Sequence, residues 1–233
     1  MADFKNVEVQ RLRHDLLNLN PNDESARVEL NKKLIERYPF LECKSWDSSV
    51  PRDYTYTFLD HMPKGWKRSF GIYLCEELRE ELIRIDPSLL DTYRVSQVKE
   101  KYGTLRWYDA HYSDRMEDIL TKYEDISKYT CIICGKINVP VFDDGWISPF
   151  CIDCFKKNIN REMQITDEEA ESFIIEEPNL PRDTIITIQS STGTERRRID
   201  FSETLTALGV DPNSLPTIEE ILQKRKEEEN VED

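Results

Sequence analysis

Four cysteines in two closely spaced pairs are the residues of this sequence best suited to chemistry. Cys131 and Cys134 form one Cys-x-x-Cys pair, and Cys151 and Cys154 form a second pair after 16 intervening residues. Four thiolates at this spacing can close a tetrahedral shell around one zinc ion, because each pair forms a tight turn with both sulfurs on one side. The spacing therefore predicts a zinc ribbon in which all four cysteines bind Zn²⁺ as a structural cofactor.

The cysteines admit two other interpretations, a pair of redox dithiols or two disulfides. Two pairs at ribbon spacing favour a metal, since a thioredoxin-type couple needs only one pair. A catalytic zinc ion usually keeps one position open for water, so four thiolates predict a structural site. No histidine follows His111, which disfavours both an HNH-type nuclease and a zinc deaminase. Cys75 lies in an apolar helical pattern, which predicts a small buried core residue, while Cys43 is left undetermined and a chemical role is disfavoured for both.

A second candidate site is the segment 93–108, where basic and aromatic residues are interleaved. Its composition predicts two short strands joined at Tyr102 and Gly103. The residues that could bind a ligand or a partner are Lys99, Lys101, Tyr102, Arg106, Trp107 and Tyr108. Cations among stacking faces could hold a base, a nucleotide phosphate or an acidic peptide. An ordinary hairpin with its aromatic side chains inward and its charges outward explains the same pattern, and both interpretations stay open.

Residues that could build an enzyme active site are scarce. The histidines His14, His61 and His111 lie far apart, and none is paired recognisably with a serine or cysteine nucleophile. With 7 glycines in the chain, no phosphate-binding loop or dinucleotide-binding fingerprint is present. The sequence therefore predicts that the protein is not an enzyme and assigns no catalytic residue. A carboxylate metal site assembled by the fold stays open as an alternative.

Acidic charge is concentrated in the C-terminal third. The formal net charge is −14, and residues 161–233 carry 8 basic and 19 acidic residues. A protein that binds DNA by neutralising phosphates needs the opposite balance, so nucleic-acid binding is disfavoured, although a local basic patch could oppose the overall field. No apolar leader and no run of ~20 apolar residues is visible, which predicts a cytoplasmic protein without membrane contact.

Periodicity predicts that helices and hairpins surround these sites. The clearest helix runs from Trp66 to Leu82, with apolar residues every four positions and its glutamates on the solvent side. Ser113 or Asp114 caps a helix that leads to the first cysteine pair, and the residues between the two pairs fit a hairpin.

Three parts are predicted along the chain, and together they give an α+β fold. The first is an α+β domain at 1–128, and the second is a zinc ribbon packed on it at 129–160. The third is an acidic region at 161–233 that contains a hairpin, two short helices and a frayed end. Residues 174–181 are predicted to be a connector.

Several of these segments together resemble a known family. The segments are Gly65-Trp66, the helix with Leu74-Cys75-Glu76-Glu77-Leu78, the string from Val98 to Tyr108, Gly145-Trp146-Ile147 and the two cysteine pairs. In these motifs the sequence resembles a family of small bacteriophage and bacterial zinc-ribbon proteins with no assigned activity. The resemblance covers residues 50–155 approximately. It implies a zinc ribbon appended to a small α+β domain, a phage or bacterial origin, and hence the cytoplasm of a bacterial host; it implies no catalytic residue.

The predicted function is that of a non-enzymatic zinc-ribbon interaction protein. A phage protein of this kind would bind a host or partner protein and modulate a host enzyme or counter a defence system. The alternative is nucleotide or single-stranded nucleic-acid binding through the Lys99–Tyr108 hairpin, and a carboxylate-metal enzyme is less favoured. The sequence predicts neither the identity of the partner nor the oligomeric state.

Overall fold

The computed structural model describes residues 3–43, 54–110, 112–159, 165–190 and 193–229. The helices are α1 Val7–Asn18, α2 Glu24–Arg37, α3 Lys64–Trp66, α4 Ile72–Ile85, α5 Leu89–Thr92, α6 Asp114–Lys128, α7 Ile152–Ile159, α8 Asp167–Glu171, α9 Ser202–Ala207 and α10 Ile218–Glu229. The strands are β1 Val95–Lys101, β2 Thr104–Asp109, β3 Val141–Asp143, β4 Ile147–Pro149, β5 Ile174–Glu176, β6 Asp183–Ser190 and β7 Gly193–Asp200. The predicted α+β class is confirmed. His111 and residues 191–192 of the predicted C-terminal hairpin lie outside the described residues.

A continuous helical run from Lys64 to Ile85 forms the centre of the fold. α3 passes into a π-helical turn, Lys67–Gly71, and then into α4. The apolar stripe of this run is buried, and its members are Trp66, Phe70, Ile72, Tyr73, Leu74, Cys75, Leu78 and Leu82. α1 and α6 pack against α4, so the predicted core helix is confirmed and Cys75 is one of its buried residues.

Two glutamates of α4 are buried, whereas the helical pattern placed them on the solvent side. Glu76 accepts hydrogen bonds from the Arg37 guanidinium at 2.8 and 2.7 Å and from Tyr38 Oη at 2.9 Å. Glu81 accepts a hydrogen bond from Ser113 Oγ, the N-cap of α6, at 2.7 Å. A buried carboxylate is stable only where charges and hydrogen bonds offset its desolvation. The glutamates therefore link α4 to α2 and to the start of α6.

β1 and β2 form the predicted antiparallel hairpin, which packs against α6. Tyr102 and Gly103 connect the strands with φ of 53° and 75°, as a two-residue primed turn requires. Val98 and Leu105 are buried. The backbone N–H of Leu105 donates to Ser127 Oγ on α6 at 2.8 Å, which fixes the hairpin to the helix that leads to the first cysteine pair.

β3 and β4 form the predicted hairpin between the cysteine pairs, and β5 adds a third strand. The strand order is β4-β3-β5 with antiparallel pairing throughout. β5 lies within the segment predicted as a connector, so that prediction is wrong for these three residues. The strand is too short to show alternation, and it forms because β3 offers a free edge for pairing. Phe142 of β3 and Phe155 of α7 stack beneath the sheet with ring centroids 4.0 Å apart.

The C-terminal third also packs into the main core. Phe201 and Leu205 are completely buried in the same cluster as the side chains of α4. Glu77 of α4 accepts hydrogen bonds from Thr204 Oγ1 at 3.1 Å and from Tyr123 Oη at 2.8 Å. Contacts thus cross the predicted boundary at 160, while the division into three parts stays a prediction. Within the described residues, no helix has both the length and the apolar composition needed to cross a membrane.

Candidate metal centre

The four cysteine sulfurs converge at one point between the end of α6 and the start of α7. Their Sγ atoms all lie within 4.8 Å of one another, and the sulfurs of Cys134 and Cys151 are 3.7 Å apart. This separation is far longer than a disulfide bond of about 2.05 Å. It matches the spacing of about 3.8 Å that follows from a tetrahedral shell with metal–sulfur bonds of about 2.3 Å. The four predicted ligands are therefore close enough to bind one metal ion.

Backbone hydrogen bonds shape both cysteine turns. In the first turn, the carbonyl of Cys131 accepts from Gly135 N at 3.0 Å, and Cys131 N donates to the carbonyl of Lys136 at 2.8 Å. Gly135 has φ of 85°, a conformation in which any other residue is strained. In the second turn, the carbonyl of Cys151 accepts from Cys154 N at 3.0 Å as α7 begins. Both turns are thus held by the main chain as well as by any bound ion.

The start of the central helical run fits against the first cysteine turn. Gly65 N donates to the carbonyl of Ile132 at 2.8 Å, and Trp66 Nε1 donates to the carbonyl of Thr130 at 2.7 Å. A Cβ atom on Gly65 would lie 2.0 Å from the carbonyl oxygen of Cys131, so only glycine fits. Sequence reasoning missed this contact. The Gly-Trp pair was its only signal, and helical periodicity reports nothing about partners so far away in the chain.

The electrostatics of the cluster favour a bound cation. Cys131 is completely buried, and Cys134 is exposed. Burial, followed by a hydrogen bond to Cys151, raises the pKa of the Cys154 thiol. A divalent ion would offset the charge of the thiolates and favour their deprotonation. Within the part of the chain that the structure describes, this cluster is the one group of at least three potential ligands placed closely enough to share an ion.

The six residues of the second candidate site do not share one surface. Lys99 pairs across the hairpin with Arg106, and Val98 pairs with Trp107. Because side chains alternate between faces, Trp107 lies on the opposite face from Lys99 and Arg106. Arg106 forms an ion pair with Glu124 of α6. The structure therefore brings together only part of the predicted set.

The outer face of the hairpin holds two cation–aromatic pairs. Lys99 Nζ lies 5.1 Å from the ring centroid of Tyr108, and Lys101 Nζ lies 5.2 Å from that of Tyr102. Tyr102 is 68 % exposed. The predicted residues of this site that stay exposed therefore lie on the turn and on the outer face of the strands.

Comparisons of the chain with family models, with curated proteins and with solved structures found no match. The resemblance to phage and bacterial zinc-ribbon proteins stays a prediction from the motifs. The candidate sites are therefore interpreted from their own geometry.

Proposed function

We propose that the protein is a non-enzymatic binding protein whose four-cysteine cluster holds a structural zinc ion. Cys131, Cys134, Cys151 and Cys154 would supply four thiolates, which leaves no coordination position for water or substrate. The ion would join the turn after α6 to the start of α7, on either side of the β3–β4 hairpin. Its role is then to fix the position of this hairpin against the helical core.

The observation that carries the proposal is an exposed tryptophan on the turn of that hairpin. Trp146 lies between β3 and β4 and is 63 % exposed. The turn has a defined shape, because Asp143 Oδ1 accepts a hydrogen bond from Gly145 N at 2.9 Å and Asp144 Oδ1 accepts one from Trp146 N at 3.3 Å. Tryptophan and tyrosine are enriched among the residues that contribute most to protein–protein binding. A rigid turn that exposes tryptophan is therefore a candidate contact point for a partner protein.

The turn of the β1–β2 hairpin lies directly beside this hairpin. A Cβ atom on Gly103 would lie 3.3 Å from the carbonyl oxygen of Ile147, so the two backbones are in contact. Lys101, Tyr102 and Trp146 are all exposed, and we name them the turn surface. Aromatic residues are enriched in protein–protein interfaces, and two of the three members of the turn surface are aromatic, while Asp143 and Asp144 are exposed on the same turn as Trp146.

A protein partner is favoured over nucleic acid for this surface. The hairpin residues predicted to bind nucleic acid included Arg106 and Trp107, but Arg106 is paired with Glu124 and Trp107 lies on the opposite face from Lys99. The resemblance to phage and bacterial proteins makes the proteins of a bacterial cell the first partners to test.

The test compares complexes purified from bacterial cells with the wild-type chain, the double variant Y102A/W146A and the matched control Y56A. Tyr56 is 54 % exposed and lies outside the turn surface. We expect one partner protein in stoichiometric amount with the wild type and with Y56A, and its loss with Y102A/W146A. Zinc content is measured on the same samples and should be unchanged in all three. Recovery of the same partner with the double variant, or of none with the wild type, contradicts the proposal.

A further inference from the structure

A cleft beside the first cysteine turn is lined by three cations. Arg13 of α1, Arg68 of the π-helical turn and Lys136 line a cleft of about 400 Å³. Within the described residues, none of the three forms an ion pair or donates a side-chain hydrogen bond. The chain has 46 acidic residues and 32 lysines and arginines, so carboxylates are abundant enough to pair with all of them. Other described cations, such as Arg11 and Lys64, also lack an ion pair, and what distinguishes these three is that they line one cleft.

Arg13 also has a buried donor without a partner. Its guanidinium lies 5.2 Å from the ring centroid of Tyr73. Its Nε atom is buried and makes no hydrogen bond in the described part of the chain, which is also true of Arg27 and Arg79, but of these three arginines Arg13 is the one that lines this cleft. Buried polar atoms nearly always have partners, so each exception needs an explanation. An absent ligand explains a cation that lines a cleft and leaves one donor unsatisfied.

The C-terminal third closes one side of the cleft without supplying acceptors to the cations. Residues 208–210 line the cleft. The carbonyl of Ala207 accepts from Tyr73 Oη at 3.2 Å, and the carbonyl of Thr206 accepts from Gly209 N at 3.0 Å. These carbonyls at the end of α9 accept hydrogen bonds from Tyr73 and Gly209, and neither accepts one from the three cations.

The rest of the lining combines a hydroxyl group with aliphatic side chains. Ser69 supplies the hydroxyl group, and the aliphatic members are Leu17, Ile137, Leu208 and Val210. A volume of about 400 Å³ is within the range of small-molecule sites. Guanidinium groups bind phosphate oxygens bidentately, and lysine binds them as a point charge.

We propose that this cleft binds the phosphate groups of a small phosphorylated molecule through Arg13, Arg68 and Lys136. The ligand is either a nucleotide, whose base and sugar would contact the aliphatic side chains, or an inorganic polyphosphate. The proposal does not depend on the turn surface or on a protein partner. A competing role for Arg68 and Lys136 is to offset the net negative charge of four thiolates around one zinc ion, since Cys134 lines the same cleft.

The test measures binding of pyrophosphate and of ATP to the zinc-loaded full chain by titration calorimetry at low salt. Both R68Q and K136Q should weaken pyrophosphate binding roughly 10-fold, because each removes a charged hydrogen bond. R11Q is the matched control, since Arg11 is an exposed residue of α1 that does not line the cleft, and its affinity should equal that of the wild type. Tighter binding of ATP than of pyrophosphate assigns the cleft to a nucleotide, and equal binding assigns it to a polyphosphate.

Three outcomes would overturn the proposal. They are no binding of either probe to the wild type, equal affinity in R68Q, K136Q and the wild type, and an equal loss of affinity in R11Q. Zinc release to a chelator is followed for each variant. Faster zinc release from R68Q and K136Q, with no probe bound by the wild type, would assign the cations to the metal shell instead. K136Q keeps the test valid if R68Q is unstable, because Lys136 is exposed.

Discussion

Single residues far apart in the sequence fix the four-cysteine cluster to the helical core. Gly65 brings the backbone of α3 against the first cysteine turn, and Trp66 donates a hydrogen bond to the residue before that turn. The carbonyl of Gly65 is so close to Gly135 that a Cβ atom on Gly135 would lie 2.7 Å from it. Two glycines therefore face each other where helix and turn meet, and neither position has room for a side chain.

Gly65→Ala should destabilise the fold by about 2–3 kcal/mol, because its Cβ atom overlaps backbone atoms that cannot move without opening the cysteine turn. Gly71→Ala is the matched control in the same helical run. Its Cβ atom would meet ordinary contacts at 3.5 Å or more, and alanine is favoured over glycine within helices. Urea denaturation followed by circular dichroism compares the two variants. Equal stability of Gly65→Ala and the wild type would refute the contact.

Glu81 should make the stability depend on pH in the acidic range. Burial alone would raise the pKa of Glu81, but hydrogen bonds from Arg84 and Ser113 outweigh it and lower the pKa below the ordinary value of 4.5. The folded state therefore binds this proton less readily than the unfolded state. The stabilisation is present above about pH 4.5 and is lost as the pH falls through the lowered pKa.

Glu81→Gln should consequently cost roughly 1–3 kcal/mol at about pH 7, and the cost should shrink as the pH falls below about 4.5, since the stabilisation by the charge is lost as the pH falls through the lowered pKa. Glu80→Gln is the control on the same helix, because Glu80 is partly exposed and pairs with Arg79 at the surface; its effect should stay below about 0.5 kcal/mol. The measurement is a pair of denaturation curves for each variant. A cost of Glu81→Gln that is independent of pH would show that its charge does not stabilise the fold.

At the scale of elements, the small sheet depends on the cysteine cluster. β3, β4 and β5 have three residues each, and strands this short are marginal without further packing. Their support comes from the stacked rings of Phe142 and Phe155 and from Tyr129 and Lys128, which bind Glu176 of β5. A bound ion would add the fixed link that a core this small does not provide.

Cys134→Ser should remove the metal and loosen all three strands, at a cost of several kcal/mol. Cys134 is exposed, so the substitution tests coordination with little change in packing. Hydrogen exchange should rise in β3, β4 and β5 and remain low in α4, and treatment of the wild type with a chelator should reproduce this pattern. Cys43→Ser is the control, because Cys43 lies outside the cluster, and this variant should keep its full zinc content. Unchanged exchange in Cys134→Ser would contradict a structural metal site.

At the scale of the molecule, the acidic C-terminal third is built into the fold. β5 completes the small sheet, Phe201 lies in the main core, and Arg197 of β7 binds Asp118 of α6 at 2.6 Å. Thr204 adds a hydrogen bond to Glu77 of the central helix. These contacts involve α4, α6 and the small sheet, so unfolding of this third should expose all of them.

Phe201→Ala should therefore destabilise the whole molecule by about 3–5 kcal/mol, the usual cost of truncating a buried phenylalanine. Leu222→Ala is the matched control, because Leu222 of α10 in the same third is exposed; its cost should be below about 1 kcal/mol. Thermal unfolding is followed by circular dichroism and by the fluorescence of buried Trp66, in a background where the other three of the 4 tryptophans are replaced by phenylalanine. We expect coincident transitions that shift together in Phe201→Ala. A Trp66 transition unchanged by this substitution would instead mark the C-terminal third as a separate unit.

The sequence by itself determined the features that depend on neighbours along the chain. The spacing of the cysteines identified the four residues that converge, the Tyr102-Gly103 pair located a turn, and the apolar repeat from Trp66 to Leu82 located the central helix. Each of these features follows from backbone geometry within a few residues, so the spacing of residues and the period of the apolar pattern are enough to predict it.

Only the tertiary structure decided what each element meets. Period alone cannot distinguish a helix face in water from a face covered by a second helix, so Glu76 and Glu81 looked solvated although they are buried and paired. The fit of Gly65 to the cysteine turn, the pairing of β5 with β3, and the meeting of Arg13, Arg68 and Lys136 in one cleft all join residues distant in the chain. Such contacts form only when folding brings distant segments of the chain together around a shared core. Short-range sequence patterns do not predict which segments meet.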